Sequence, residues 1–116
     1  MAGALLLAWT SPVPGRADEY AEWLDSVHIP DVQSAVPAIR RSSRHRLAEP
    51  QESGRAPRFL VVHELGTDDV ATASTQLDEA LKAGRVTTSP DMDMRGRPPV
   101  VEWHVHQSDI KHEETR

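Results

Sequence analysis

The stretch YAEWLDSVHIPDVQSAVP, residues 20–37, combines an apolar helical stripe with a proline that interrupts it. Pro30 disfavours helical dihedrals at the residue before it, which predicts that the helix ends near Val27 or His28. The partial negative charge at a helix C-terminus would then favour the protonated form of His28. Pro30 itself fits the first turn of a short second helix, 30–35. The apolar side chains at the i, i+3, i+4 and i+7 positions of the first helix are Tyr20, Trp23, Leu24 and Val27.

Strand patterns flank this helical segment on both sides. Runs rich in apolar and β-branched residues predict strands at 3–10, 58–65 and 100–106, and a strongly basic stretch predicts another at 38–48. Asp68 as N-cap and Gly84 after the last turn bound a second predicted helix. The long segment 85–99 carries Met92 and Met94, which favours either an adaptable lid or a disordered loop.

The predicted order of elements is β-α-β-β-α-β, which favours an α+β fold of the ferredoxin-like class, with a four-stranded antiparallel sheet and both helices on one face. The other sheet face has no cover from residues 1–106, which we predict to form one domain followed by a charged, frayed tail at 107–116. Trp9, Phe59 and Trp103 cannot all face the helices, so an exposed apolar patch is expected. A second copy of the chain would cover it and close two sheets into an α/β barrel.

Composition and charge exclude several classes of function. The 116 residues fit one domain, and a net charge of −5 gives no basic field for nucleic acid or an anionic membrane. The sequence has no cysteine, which excludes disulfides and thiolate chemistry. The apolar run 4–9 lacks a basic segment before it and is too short to span a bilayer, which favours a cytoplasmic protein. Gly-rich phosphate loops, G-x-S-x-G and HExxH are also absent from the sequence.

Histidines are the first candidates for chemistry because imidazole titrates near neutral pH. We predict His28 as a catalytic acid or base, placed beside the uncovered sheet face; the alternative is a residue that caps the helix end. The alternation of the last strand places Glu102, His104 and His106 on that uncovered face, with His104 assisting His28 and the other two contacting substrate. The same three side chains are a possible metal site, but their spacing supplies no complete ligand set, so no metal and no cofactor is expected.

Further substrate-binding residues are predicted from ring chemistry and charge. Trp9 and Trp23 suit a cavity for a flat aromatic ligand, with core packing as the alternative for both. His63 lies between apolar residues, which is more typical of a hydrogen-bonded structural histidine, and it is included among the predicted substrate contacts. Most arginines of the second strand fit a solvated edge, but Arg44 is expected to bind a carboxylate, phenolate or enolate.

Three segments, WLDSVHIPD (23–31), VPAI (36–39) and SRH (43–45), together resemble the EthD-like branch of the dimeric α/β-barrel superfamily. In that branch a W-x4-H-x-P segment ends the first helix, a Pro-Gly opens the second strand and an Arg-Tyr pair follows. This chain has Ala38 in place of the usual Gly and His45 in place of Tyr. The resemblance implies a homodimer with one cavity in each subunit, between the sheet and the first helix.

The residues and the resemblance together favour a cofactor-independent enzyme of small-molecule metabolism. The expected reaction is cyclisation, dehydration or isomerisation through an enol, on a hydrophobic, natural-product or polyketide-like substrate. The alternatives are a cofactor-free oxygenase that acts on an aromatic substrate, or a non-catalytic protein that binds a metabolite or haem. The expected state is a homodimer in a bacterial cytoplasm, without nucleic acid or membrane partners.

Overall fold

Four antiparallel strands and three α-helices make up the described part of the chain, residues 3–50 and 54–112 of this computed structural model. The strands are β1 (Ala4–Thr10), β2 (Ile39–Arg46), β3 (Phe59–Leu65) and β4 (Val100–Val105), and the helices are α1 (Ala17–Trp23), α2 (Ile29–Ala35) and α3 (Val70–Lys82). A π-helical turn, Leu24–His28, joins α1 to α2 into one helical unit. The spatial order of the strands is β2-β3-β1-β4. The predicted α+β sandwich of the ferredoxin-like class is therefore confirmed.

Strand register determines which side chains lie under the helices. Leu6 of β1 is buried and pairs with Trp103 of β4. Because side chains alternate along a strand, Trp103 faces the helices and His104 faces the uncovered side of the sheet. Trp9 lies on the uncovered side as well, whereas Phe59 is buried beneath the helices. The predicted division of these aromatic residues between the two faces is confirmed.

Both helical units pack on the same face of the sheet. Val32 of α2 and Ala73 and Ala80 of α3 are buried in one cluster with Leu6 and Leu65. The two alanines allow α3 to approach the sheet closely, since neither carries a side chain beyond Cβ. This cluster fixes α2 and α3 over the ends of the two central strands, β1 and β3.

A second cluster lies under α1 and is centred on Tyr20, whose exposed fraction is 0 %. The Tyr20 ring stacks on Phe59 with centroids 6.2 Å apart, and its hydroxyl donates to Oγ1 of Thr10 at 2.7 Å. Burial raises the pKa of the Tyr20 hydroxyl. Burying an aromatic side chain of this size contributes roughly 1.5–3 kcal/mol, and the hydrogen bond avoids the cost of an unpaired buried hydroxyl.

Pro30 does not end the helix, which corrects the prediction of a C-terminus near Val27 or His28. The N–H of Ile29 donates to the carbonyl of Leu24, five residues earlier, which is the spacing of a π-turn. In a regular α-helix the proline ring would clash with the carbonyl four residues before it, and the wider turn relieves that clash. No helix end therefore falls at His28, so the macrodipole does not favour its protonation. Val27, predicted on the apolar face, is 39 % exposed.

Segment 85–99 is bonded to the body of the protein rather than free. The N–H of Val13 donates to the carbonyl of Asp91, and the N–H of Asp93 donates to the carbonyl of Ser11, both at 2.7 Å. The Asp93 carboxylate then accepts hydrogen bonds from three successive backbone N–H groups of the turn that follows it. With these contacts, segment 85–99 fits neither of the two predicted alternatives, an adaptable lid or a disordered loop.

The ends of α3 agree closely with the sequence. Asp69, one residue after the predicted Asp68, caps the helix by accepting the N–H of its third residue at 3.0 Å. Gly84 follows the last turn with a φ of 76°, as expected of a residue at this position. The charged tail is exposed as far as residue 112, and its remainder, 113–116, lies outside the described residues. Within the described ranges, none of the helices has the length and apolar character needed to cross a membrane.

Candidate active site between the helices and the sheet

The π-turn brings Trp23 and His28 onto one side of the helical unit. Their rings stack with centroids 4.8 Å apart and planes inclined by 25°. Trp23 also stacks on Tyr20 at 5.7 Å, which anchors the pair in the core. Nδ1 of His28 is buried and has no hydrogen-bond partner among the described residues. A ring nitrogen that is held in place but unpartnered is available to accept a proton or a hydrogen bond.

His63 of β3 supplies a second imidazole on the same side of the sheet. Its exposed fraction is 2 %, and its Nδ1 lies 2.7 Å from Oγ of Ser42, its cross-strand neighbour on β2. Nε2 of Gln33, on α2, donates to the same Oγ at 3.0 Å. The three side chains form a hydrogen-bonded chain from the exposed surface of α2 to the buried ring.

Both imidazoles are kept neutral by their surroundings. Burial, with a smaller contribution from the neighbouring His28, lowers the pKa of His63 from 6.5 to about 4. Burial also lowers the pKa of His28, although the Thr87 backbone and the carboxylate of Asp31 act in the opposite direction. Desolvation penalises the charged form of each ring, so both are in the base form at neutral pH. This corrects the expectation of a protonated His28.

Arg44, predicted to bind a substrate anion, lies on the helix-facing side of β2 and is paired with a carboxylate of the protein itself. Its Nε and Nη2 donate to the two carboxylate oxygens of Asp25, at 2.8 and 2.9 Å. Its guanidinium also lies over the Phe59 ring, 5.1 Å from the centroid. The Asp25 carboxylate raises the pKa of Arg44, and Arg44 lowers that of Asp25. The pair joins the π-turn to β2. It also occupies the two guanidinium donors that would otherwise bind an enolate oxygen.

His28 is not beside the uncovered sheet face, which corrects the predicted arrangement. It lies on the helix-facing side with His63, whereas Trp9, Glu102 and His104 lie on the opposite side of the sheet. The reason is strand alternation: the sheet itself stands between the two sets of side chains. Within the chain, His104 is therefore not brought to His28 and cannot assist it directly.

The uncovered face carries its own polar contacts. His104 Nε2 lies 3.2 Å from a Glu102 oxygen, and His106 Nε2 lies 2.9 Å from an oxygen of Asp109. Among the described residues, no group of three or more His, Asp or Glu side chains is placed to hold a metal ion. A groove of about 270 Å³ at the end of this face is lined by Gly3, Ala4, Leu5, Glu64, Leu65, His104, Val105 and His106.

Sequence reasoning missed Ser42 and Gln33. Each belongs to a common polar residue type, and nothing in its immediate neighbours distinguishes it. The pairing register of β2 with β3 is what places Ser42 opposite His63. The sequence did carry a signal for the irregular turn, because Pro30 cannot continue a regular α-helix without a break or a local widening such as a π-turn.

Comparison with known proteins adds little to this picture. No protein-family model matches the chain, and no curated protein matches it. A crystal structure of an ethyl tert-butyl ether D (EthD) family protein from Bacillus halodurans C-125 is similar over 91% of this chain and 99% of that one, with a TM-score of 0.47 and 10% sequence identity. A likeness at this level carries no argument about function. The class of the protein, α+β of the ferredoxin-like type, rests on its own topology.

Proposed function

We propose that the protein is a cofactor-independent enzyme that transfers protons on a hydrophobic small molecule, with His28 as the acid/base. The observation that carries this proposal is the state of the His28 ring. The ring stacks on Trp23, its Nδ1 is buried and unpartnered among the described residues, and burial lowers its pKa. A general base needs this combination of fixed position and free lone pair.

The proposed reaction begins at a carbon next to a carbonyl group. His28 Nδ1 takes the proton, the C–H bond breaks, and its electron pair moves to the carbonyl oxygen to give an enolate. The same imidazolium then returns the proton in one of three ways. Return to another carbon completes an isomerisation. In a cyclisation the enolate carbon adds to a second carbonyl of the substrate, and the alkoxide so formed takes the proton. In a dehydration the proton goes to a hydroxyl on the next carbon, whose C–O bond breaks to release water. Surroundings that disfavour a charged His28 would speed the return step, because they raise the driving force for losing the proton.

The proposed substrate is apolar and contains rings, in the manner of an aromatic polyketide. The aromatic row that begins at His28 supports this choice: His28 stacks on Trp23, Trp23 on Tyr20 and Tyr20 on Phe59. Flat ligands gain binding free energy from stacking on such rings as well as from burial of their apolar surface.

The proposed assembly is a homodimer that covers the uncovered sheet face. In support, the middle of that face is apolar: Leu7 of β1 lies directly opposite Val62 of β3 in the register. Leu5 on the same face is 37 % exposed. Apolar side chains in a contiguous group on an open sheet are typical of an interface rather than of a surface in water.

A second candidate function is metabolite binding without turnover. The groove beside His104 and His106 favours it, because this concavity lies away from His28 and has exposed histidines but no buried base. In that case the exposed imidazoles would only donate or accept hydrogen bonds to a ligand.

Deuterium exchange into β-tetralone, a bicyclic aromatic ketone, distinguishes the two candidates. Proton transfer at the carbon next to the carbonyl is followed by NMR in D₂O, so that the natural substrate need not be known. We expect the wild-type protein to exceed the buffer rate and His28→Ala to lose about a hundredfold of that rate or more. His104→Ala is the matched control and should keep the wild-type rate. Saturable binding of β-tetralone to the wild-type protein without deuterium exchange above the buffer rate would contradict the proposed function and favour the second candidate.

A further inference from the structure

The hydrogen-bonded chain that ends at His63 has a direction. The amide nitrogen of Gln33 can only donate, so Oγ of Ser42 is an acceptor at that contact. The Ser42 hydroxyl has no other acceptor among the described residues than Nδ1 of His63, 2.7 Å away. Donation from the serine to Nδ1 gives its hydroxyl hydrogen a protein acceptor, and this arrangement places the proton of the neutral ring on Nε2.

That Nε2–H has no protein acceptor within the described residues, and the atom is not fully enclosed, although the His63 residue as a whole is only 2 % exposed. It belongs to the helix-facing side of β3, where His28 also lies. The two imidazoles are close enough that a charge on His28 disfavours a charge on His63. A fixed donor and a free acceptor thus lie on the same, helix-facing side of the sheet.

We propose that His63 is the oxyanion-binding residue of the candidate site and that Ser42, supported by Gln33, is the positioning residue that holds it as the Nε2–H tautomer. The proposal rests on the proposed function for its chemistry, and the ligand it implies is a carbonyl or enolate oxygen. It replaces Arg44 in this role, because the edge of that guanidinium is bound to Asp25.

A neutral imidazole is chemically suited to this task. An N–H group can stabilise the enolate oxygen without first giving its proton away, and it stays neutral only if its pKa is low. Donors that are already oriented toward the position of the developing charge cost no reorganisation during the reaction. Ser42 provides that orientation, since it leaves Nδ1 no freedom to carry the proton.

The first test reads the tautomer by ¹H–¹⁵N NMR of the imidazole groups and does not depend on any activity. We expect Nε2–H and an acceptor Nδ1 for His63 in the wild-type protein. Ser42→Ala should lose this preference and Ser42→Thr, which keeps a hydroxyl, should restore it. An Nδ1–H tautomer in the wild-type protein, or no change in Ser42→Ala, overturns the inference.

The second test uses β-naphthol, a stable aromatic analogue of the β-tetralone enol. Its oxygen should accept the Nε2–H of His63 and move that proton resonance downfield on binding. Binding that leaves this resonance unchanged overturns the inference, whether or not the protein catalyses exchange. Absence of exchange combined with a shifted His63 resonance overturns the proposed function alone.

The third test is kinetic. In the β-tetralone assay we expect His63→Phe to lose about a hundredfold in rate, as for loss of one oxyanion donor, and Ser42→Ala about tenfold. Ser42→Thr should recover most of the loss, which a purely structural role of the serine would not require. Full activity of His63→Phe, with His28→Ala inactive, would overturn the inference and leave the proposed function standing.

Discussion

Trp23 and His28 stack with their ring centroids 4.8 Å apart because a π-turn, rather than an α-helical turn, separates them. In an α-helix, residues five apart point in different directions, and His28 would turn away from Trp23. The π-turn exists where Pro30 would otherwise clash with the preceding turn of helix. The proline thus places the candidate base over the sheet, instead of ending the helix before it.

We expect Trp23→Leu to raise the pKa of His28 toward its ordinary value. Burial is the main cause of the lowered pKa, and the indole ring is one of the groups that bury the imidazole. The measurement is an NMR titration of the imidazole proton of His28. Trp103→Leu is the control, since Trp103 packs against the other core cluster, and it should leave the titration unchanged. An equal change in both variants would contradict the prediction.

Stability should fall as the pH is lowered from about 7 to about 5, chiefly because of His63. The unfolded chain binds a proton near the ordinary pKa of 6.5, whereas the folded protein excludes it until about 4. The unfolded state therefore holds more protons in this interval, and the free energy of unfolding decreases by about 2 kcal/mol. Urea unfolding at the two pH values measures the difference.

The matched variant for this prediction is His63→Gln, which removes the titrating ring and keeps a polar side chain opposite Ser42. Its stability should depend much less on pH in the same interval. A smaller dependence of stability on pH remains, because the pKa of His28 is also lowered in the folded protein and its protonation likewise favours the unfolded chain. The same pH dependence in both proteins would contradict the assignment of the effect to His63.

The division of side chains between the two sheet faces was predictable, and the composition of the site was not. Alternation along the last strand is a local property, so the sequence predicts the faces of Trp103 and His104 correctly. The surroundings of His28 depend on whether the helix ends before Pro30 or continues past it through a widened π-turn. That choice depends on how the helical unit packs on Phe59 and Val61 of β3, which are distant in sequence. A rule that considers only the residue before a proline cannot predict which of the two outcomes occurs.

A double-mutant cycle between Asp25 and Arg44 should give a coupling free energy of about 0.5–1 kcal/mol, smaller in high salt. The geometry is bidentate, but half of the Asp25 side chain is exposed, and water screens the pair. The suitable variants are Asp25→Asn and Arg44→Gln, compared by urea unfolding. Because Arg44 lowers the pKa of Asp25, the coupling is present above the ordinary pKa of this carboxyl group and is lost as the pH falls through the lowered one.

The same Arg44→Gln variant should keep the β-tetralone exchange rate to within about threefold, since its guanidinium binds Asp25 rather than substrate. A loss as large as that expected of His63→Phe would show instead that Arg44 leaves Asp25 and contacts the reacting oxygen. Asp25→Asn serves as the control, because it frees the guanidinium without removing it.

Val62→Glu should convert the proposed dimer into monomers. Val62 lies opposite Leu7 on the two central strands, so a carboxylate there would be buried without a partner if a second sheet covered this face. We expect the dissociation constant of the dimer to rise at least about a hundredfold, measured by sedimentation equilibrium. Leu81→Glu is the matched control: Leu81 lies on α3, is 44 % exposed and faces away from the uncovered side of the sheet. A wild-type protein that is monomeric at high concentration, or a Val62→Glu variant that associates as strongly as Leu81→Glu, would mean that water or another partner covers this face.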